Sequence, residues 1–183
     1  MEEVTPASVM KKVAIHTDGG CEGNPGPGGW AAVLSYGEKR REISGGEVAT
    51  TNNRMELRAA IEALRALTER CLVELHTDSE YVRNGITKWV HGWRKRGWMR
   101  TATEAVKNAE LWRELDEQAR RHEVVWRWVR GHTGDEGNER CDQLAGAEIA
   151  KIKREIPAEQ RRALLAVFKA ERAGEQGQVQ LFK

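Results

Sequence analysis

Val13, Ile15 and Thr17 alternate with Ala14, His16 and Asp18, the two-residue period of a strand that stops at Gly19-Gly20. Segments 30–36 and 40–44 read as two further strands joined by a turn around Gly37. Between the first two strands, residues 19–29 hold six glycines and two prolines and are expected to be irregular. The period then changes: Leu57, Ala60, Ile61, Leu64 and Leu67 form the apolar stripe of an amphipathic helix. Residues 72–77 read as a fourth strand, with a short helix from about Ser79. Residues 89–98 and 108–121 follow as helices, 124–129 as the last strand, and 138–152 as a helix after a loop. That order predicts an α/β domain with a mixed five-stranded sheet flanked by helices. Beyond it, Pro157 opens one further expected helix, with Leu164, Leu165 and Phe168 on a modest apolar face. Gly174 to Gly177 then read as a flexible linker. The expected division is a domain over 1–152 and a basic extension over 153–183.

Composition narrows the class. The chain has 183 residues, 39% hydrophobic and 32% charged, a balance suited to one globular domain. The longest apolar run, 163–168, is far shorter than the ~20 residues a membrane span requires. No signal peptide is apparent, and three widely spaced cysteines (Cys21, Cys71, Cys141) offer neither a disulfide framework nor a zinc pattern. A cytoplasmic protein is the expectation.

A net charge of +2 conceals segregation. Residues 151–183 carry +4 and residues 87–107 carry +5, leaving −7 on the rest. A basic lobe, a basic tail and an acidic remainder suit a polyanion held on one surface, with carboxylates gathered elsewhere around metal.

The candidate chemistry lies at strand and helix ends. Ile15-His16-Thr17-Asp18-Gly19 and Leu75-His76-Thr77-Asp78-Ser79 are near copies. If the two strands are parallel neighbours, Asp18 and Asp78 meet at the carboxyl edge where α/β sheets bind ligands. Each also has an ordinary role available: Asp18 as a turn residue before glycine, Asp78 as a helix N-cap. Asn53-Arg54-Met55-Glu56 fits a capping box, with Glu56 in the first turn folding back on Asn53. His132 lies in a loop just before a helix that carries Asp142. The glycine-rich loop matches neither the phosphate-cradling nor the dinucleotide fingerprint.

Four motifs together resemble the bacterial ribonuclease HI family: Thr17-Asp18-Gly19-Gly20 leading into 23–29; Thr50-Thr51-Asn52-Asn53-Arg54-Met55-Glu56-Leu57; Thr77-Asp78-Ser79 with Tyr81-Val82; and Gly131-His132 with Asn138-Glu139-Arg140-Cys141-Asp142. They occur in the family's order over about residues 11–150. The resemblance implies a ribonuclease H-like fold with a basic helical protrusion over about 87–107. It implies hydrolysis of the RNA strand of RNA–DNA hybrids by two-metal-ion catalysis, giving 5′-phosphate and 3′-hydroxyl products. Asp18, Glu56, Asp78 and Asp142 would hold two Mg²⁺ ions, with Mn²⁺ a possible substitute, and His132 would move a proton or help free product. Cys21 (through its backbone), Asn24 and Asn52 would contact the hybrid's minor groove, and Thr51 and Asn108 would grip a DNA-strand phosphate. Trp89, Trp93, Arg94, Lys95 and Arg96 would hold the DNA strand on the protrusion, some rings anchoring the lobe and others facing the backbone.

Two positions depart from the family pattern. Glu80 stands where an amide is common, and Ala49 stands where a basic residue often precedes the Thr-Thr-Asn-Asn run. The terminal peptide with Gln178, Leu181 and Phe182 resembles the Gln-x-x-Leu-Phe motif that docks replication proteins on the sliding clamp. A monomer is expected. The rival readings are a non-catalytic hybrid-binding module and a transposase-like DNA nuclease; the latter needs further DNA-binding domains.

Overall fold

The structure is a computed structural model that describes residues 9–130 and 134–177. Strands β1 (Lys11–Cys21), β2 (Gly26–Tyr36) and β3 (Lys39–Thr50) form an antiparallel meander, with its second turn at Gly37 in the left-handed region. Helix α1 (Asn52–Arg65) crosses to β4 (Cys71–Thr77), which lies parallel to β1. Helix α2 (Glu80–Asn84), a π-helical turn (Gly85–Trp89) and α3 (Val90–Lys95) follow, the last two running into the basic segment 87–107. Helix α4 (Ala109–Arg120) leads to β5 (Glu123–Trp128), parallel to β4, and α5 (Glu136–Glu155) and α6 (Ala158–Gly177) follow. The sheet order is β3-β2-β1-β4-β5, the expected mixed five-stranded α/β architecture.

The sheet is covered unequally on its two faces. On one, α1 buries Met55, Leu57, Ile61 and Leu64 completely, against Val13, Ile15, Val73 and Leu75 of the strands. Full burial of side chains of this size contributes ~1.5–3 kcal/mol each, so this face carries most of the hydrophobic stabilisation. Trp112 of α4, fully buried, belongs to the same core. On the other face, α5 closes over Ala31 and Val33 with buried Cys141 and Ala145 and a partly buried Leu144. Small residues there let the helix backbone come close to the sheet.

Two sequence expectations are corrected. The glycine-rich stretch is not irregular throughout: β1 continues to Cys21 and pairs with β2, leaving 22–25 as the connection. Its glycines serve close approach. A Cβ on Gly19 would lie 2.3 Å from the carbonyl carbon of Met55, and one on Gly29 would lie 2.1 Å from the carbonyl oxygen of Ala145. Nor do residues 174–177 form a linker, since α6 runs through Gly177. Glycine in a helix costs only about 1 kcal/mol relative to alanine, so neighbouring helix formers can carry it.

Gly29→Ala should therefore force α5 off the sheet and destabilise the protein by ~1–3 kcal/mol. Gly146→Ala on α5, where a Cβ meets nothing within 4 Å, should be stabilising by ~0.4–1 kcal/mol. Urea titration of both variants checks the contrast.

Candidate active site

The parallel ladder of β1 and β4 runs in register as far as His16 opposite His76. Asp18 and Asp78 each follow two residues later, so both emerge at the same level of the sheet's carboxyl edge. The His16 and His76 rings stack beneath them with centroids 4.5 Å apart. Gly19 seats the end of β1 against the Met55–Glu56 backbone of α1, which brings Glu56 to the same edge. One carboxylate oxygen from each of Asp18, Glu56 and Asp78 falls within 4.8 Å of the others. The bland alternatives are not what these side chains do. Ser79 caps α2 by accepting from the Val82 N–H, so Asp78 is not the cap. Thr51, not Asn53, caps α1, accepting from the Arg54 N–H at 3.4 Å. Glu56 is therefore the fifth helical residue rather than the third, and it does not fold back on Asn53. The capping box is overridden because Thr51 lies two residues nearer the end of β3.

The electrostatics of this edge are unfavourable without a cation. Glu56 Oε2 is out of solvent and has no hydrogen-bond partner among the described residues. Burial, followed by repulsion from Asp18 and Asp78, pushes the Glu56 carboxyl well above the usual carboxylate range. Asp18 accepts from the Gly19 N–H at 2.9 Å. Three carboxylates offering hard oxygen donors, one of them with a buried unpartnered oxygen, fit a divalent metal ion such as Mg²⁺. Asp142, exposed on α5, stands outside the tight cluster but lines the same cavity of about 390 Å³ with Asn52 and the three carboxylates. His132 lies outside the described residues.

The expected substrate-contact residues fall into three groups. Beside the carboxylates, Asn52 Oδ1 accepts from the Cys21 N–H at 2.7 Å, and Asn24 Oδ1 accepts from the Asn52 N–H at 3.1 Å. Farther along, Asn108 has left-handed backbone (φ 59°), which asparagine tolerates, and precedes α4. Its Nδ2 donates to the Tyr81 hydroxyl, which also accepts from Trp112 Nε1. Its Oδ1 accepts from Arg54 at 3.3 Å and from Arg172 at 3.0 Å. On the protrusion, Trp93 packs on the core against Trp112 while Trp89 is 38% exposed, so the two rings do divide into anchor and surface. Arg94 makes a two-point pair with Asp116, whereas Lys95 and Arg96 are exposed. Trp128 is 42% exposed, with Arg83 over its ring.

Sequence reading gave no role to Tyr81 or Arg54 at the phosphate-gripping position, nor to the partner Asp116. Each works through a contact between segments far apart in the chain, and no local spacing signals it. Arg172 is the extreme case, reaching Asn108 from α6.

In the metal-free protein, Glu56→Gln should raise Tm at pH 7, each ~1 kcal/mol relieved being worth ~2–4 °C in a chain of this size. Because the folded carboxyl holds its proton more tightly than the unfolded one, the wild-type penalty grows as pH rises above the unfolded value. The Tm difference should vanish as pH falls towards 4, and thermal melts in chelator across pH 4–8 check it.

Comparison with known proteins agrees with this site. The RNase H family model matches residues 10–150. The ribonuclease H of Chromohalobacter salexigens is 60% identical over 152 residues, covering 81% of this chain and 93% of its own. That of Erythrobacter litoralis is 62% identical over 144 residues, covering 79% and 99%. Among solved structures, LC9-RNase H1, described as a type 1 RNase H with the type 2 active-site motif, superposes with a TM-score of 0.71 at 39% identity. That alignment covers 78% of this chain and 74% of that one. With the carboxylates gathered at the β1–β4 edge and a family match spanning the whole sheet, the chain belongs to the RNase H family, endoribonucleases that hydrolyse the RNA strand of RNA–DNA hybrids.

Proposed function

We propose that the chain hydrolyses its hybrid substrate with two Mg²⁺ ions held by Asp18, Glu56, Asp78 and Asp142, releasing 5′-phosphate and 3′-hydroxyl ends. The observation that carries this is the convergence of oxygens from three carboxylates within 4.8 Å, with Glu56 also carrying a buried oxygen that has no partner among the described residues. When bound, such a metal pair supplies charge neutralisation and an acidified water at neutral pH. The chain's own groups do the rest. The carboxylates fix where the scissile phosphate sits, and Asp142, on the exposed side of the cavity, completes the ligand set as substrate arrives. Water adds to phosphorus and the P–O3′ bond breaks; the 3′ oxygen leaves with a proton, a transfer for which His132 is assigned as shuttle. Asn24, Asn52 and the Cys21 backbone read the minor groove, where 2′-hydroxyls are exposed. Thr51 and Asn108 hold a DNA-strand phosphate, and Trp89 with Lys95 and Arg96 carries the DNA backbone over the protrusion.

The non-catalytic alternative is disfavoured because all four carboxylates are kept, three of them at the cost of mutual repulsion. No helix among the described residues is long and apolar enough to cross a membrane. A cytoplasmic monomer, with 1–152 as the catalytic unit and 153–183 as an extension, completes the reading. Clamp docking through Gln178, Leu181 and Phe182, which lie outside the described residues, should be lost on deleting 178–183; clamp binding that survives the deletion contradicts it.

Asp18→Asn should reduce cleavage of a hybrid in Mg²⁺ by ~10³-fold or more, because losing a ligand weakens the hold on a metal worth several kcal/mol of transition-state charge stabilisation. Hybrid affinity, measured in Ca²⁺ by gel shift, should change only a few-fold. An active Asp18→Asn protein would contradict the assignment.

A further inference from the structure

Helix α6 lies beyond the segment that the family matches, yet it reaches the substrate face. Between it and the start of α1 is a cavity of about 370 Å³ whose lining includes Asn24, Thr51, Asn53, Lys107, Lys169 and Arg172. Among the described residues no carboxylate lines it. Lys169 and Arg172 are three residues apart, so they share one face of α6. Arg172 is held by two contacts that leave its charge in place: Nη2 donates to Asn108 Oδ1 at 3.0 Å, and the guanidinium lies 5.4 Å from the Phe168 ring centroid. Glu110 interacts electrostatically with Arg172 but is paired with Arg54. The opposite wall is the N-terminal end of α1, where the helix dipole is positive and backbone N–H groups favour an anion. The cavity is several times the ~30 Å³ of one water, ample for a phosphodiester group. It adjoins the metal-binding edge through Asn24, which lines it and accepts from Asn52 of the carboxylate cavity.

We propose that Lys169 and Arg172 of α6 form the outer wall of an anion subsite that grips one backbone phosphate of the hybrid, making the C-terminal helix part of the substrate-binding surface. The proposal rests on the reading of Thr51 and Asn108 as phosphate-gripping residues and extends it with cations from outside the matched segment. The helix acts as a wall and not as a cover, because its cations flank open space that no acidic group among the described residues lines.

The test is hybrid affinity in Ca²⁺ over a salt series, for the full chain and for Lys169→Ala/Arg172→Gln. Glutamine keeps a donor towards Asn108, and circular dichroism confirms that α6 remains folded. Arg162→Ala/Lys151→Ala, with the same charge change at exposed positions outside the cavity, is the control. Losing one phosphate contact should weaken binding and make the slope of log Kd against log salt shallower by about 0.9, beyond any change in the control. A methylphosphonate scan of the DNA strand and, separately, of the RNA strand identifies which strand supplies the phosphate. One position should weaken wild-type binding and cost the α6 variant less, because Thr51 and Asn108 still grip that phosphate there. If that position costs the variant as much as the wild type, the α6 wall is overturned while the Thr51–Asn108 reading stands. If no single phosphate matters in either strand, both fall. Tighter binding by the α6 variant would also overturn the proposal, since the helix would then be a cover.

Discussion

Six residues of β1 pair in parallel with six of β4, and that ladder determines where negative charge must accumulate in this molecule. Parallel strands in register deliver equivalent positions to the same level, so two near-identical strand sequences send Asp18 and Asp78 to one edge. The third charge arrives because Gly19 lacks a side chain and lets α1 approach until the Glu56 backbone touches the strand. Neither step is free. The convergence leaves a buried carboxylate oxygen without a partner, and hydrophobic burial elsewhere must hold three repelling groups together. The large core beneath α1 supplies that burial, on the sheet face to which α1 is anchored.

The rest of the architecture extends this edge outward. The small-residue interface between α5 and the sheet keeps that helix close enough for Asp142 to share the carboxylate cavity. Trp112, buried on α4, donates to Tyr81, and Tyr81 accepts from Asn108. One aromatic cluster thus connects the protrusion, the core and the phosphate-gripping position. Catalytic charge and substrate-holding charge stay apart: acidic groups sit where the sheet ends, and cations sit on α3 and α6. A polyanion can therefore be held along one face without quenching the carboxylates that act on it.

Much of this was legible in the sequence because strand alternation, the α1 stripe and the spacing of the acidic residues are local. The near copies at Asp18 and Asp78 disclosed the edge once a parallel pairing was supposed. What escaped depends on contacts that local spacing cannot encode. The glycines after Asp18 read as a loop because their conformational freedom is visible in sequence, whereas the backbone they must admit is not. The start of α1 was misjudged because Asn53 and Glu56 satisfy a capping pattern that Thr51 satisfies first. Arg94, grouped in sequence with the cations expected to hold the DNA strand, is paired with Asp116 of another helix. The fold-back of α6 onto Asn108 had no sequence signal beyond the helix's own basic face.

The central claim is that the three converging carboxylates exist to hold a divalent metal ion. A crystal grown with Mn²⁺, examined by anomalous scattering, tests it most directly. The account predicts a strong peak between Asp18, Glu56 and Asp78 at ordinary metal–oxygen distances, with Glu56 Oε2 among the atoms nearest to it, and no such peak in Glu56→Gln. A fully occupied Mn²⁺ site elsewhere, with the carboxylate edge empty in wild type, would contradict it.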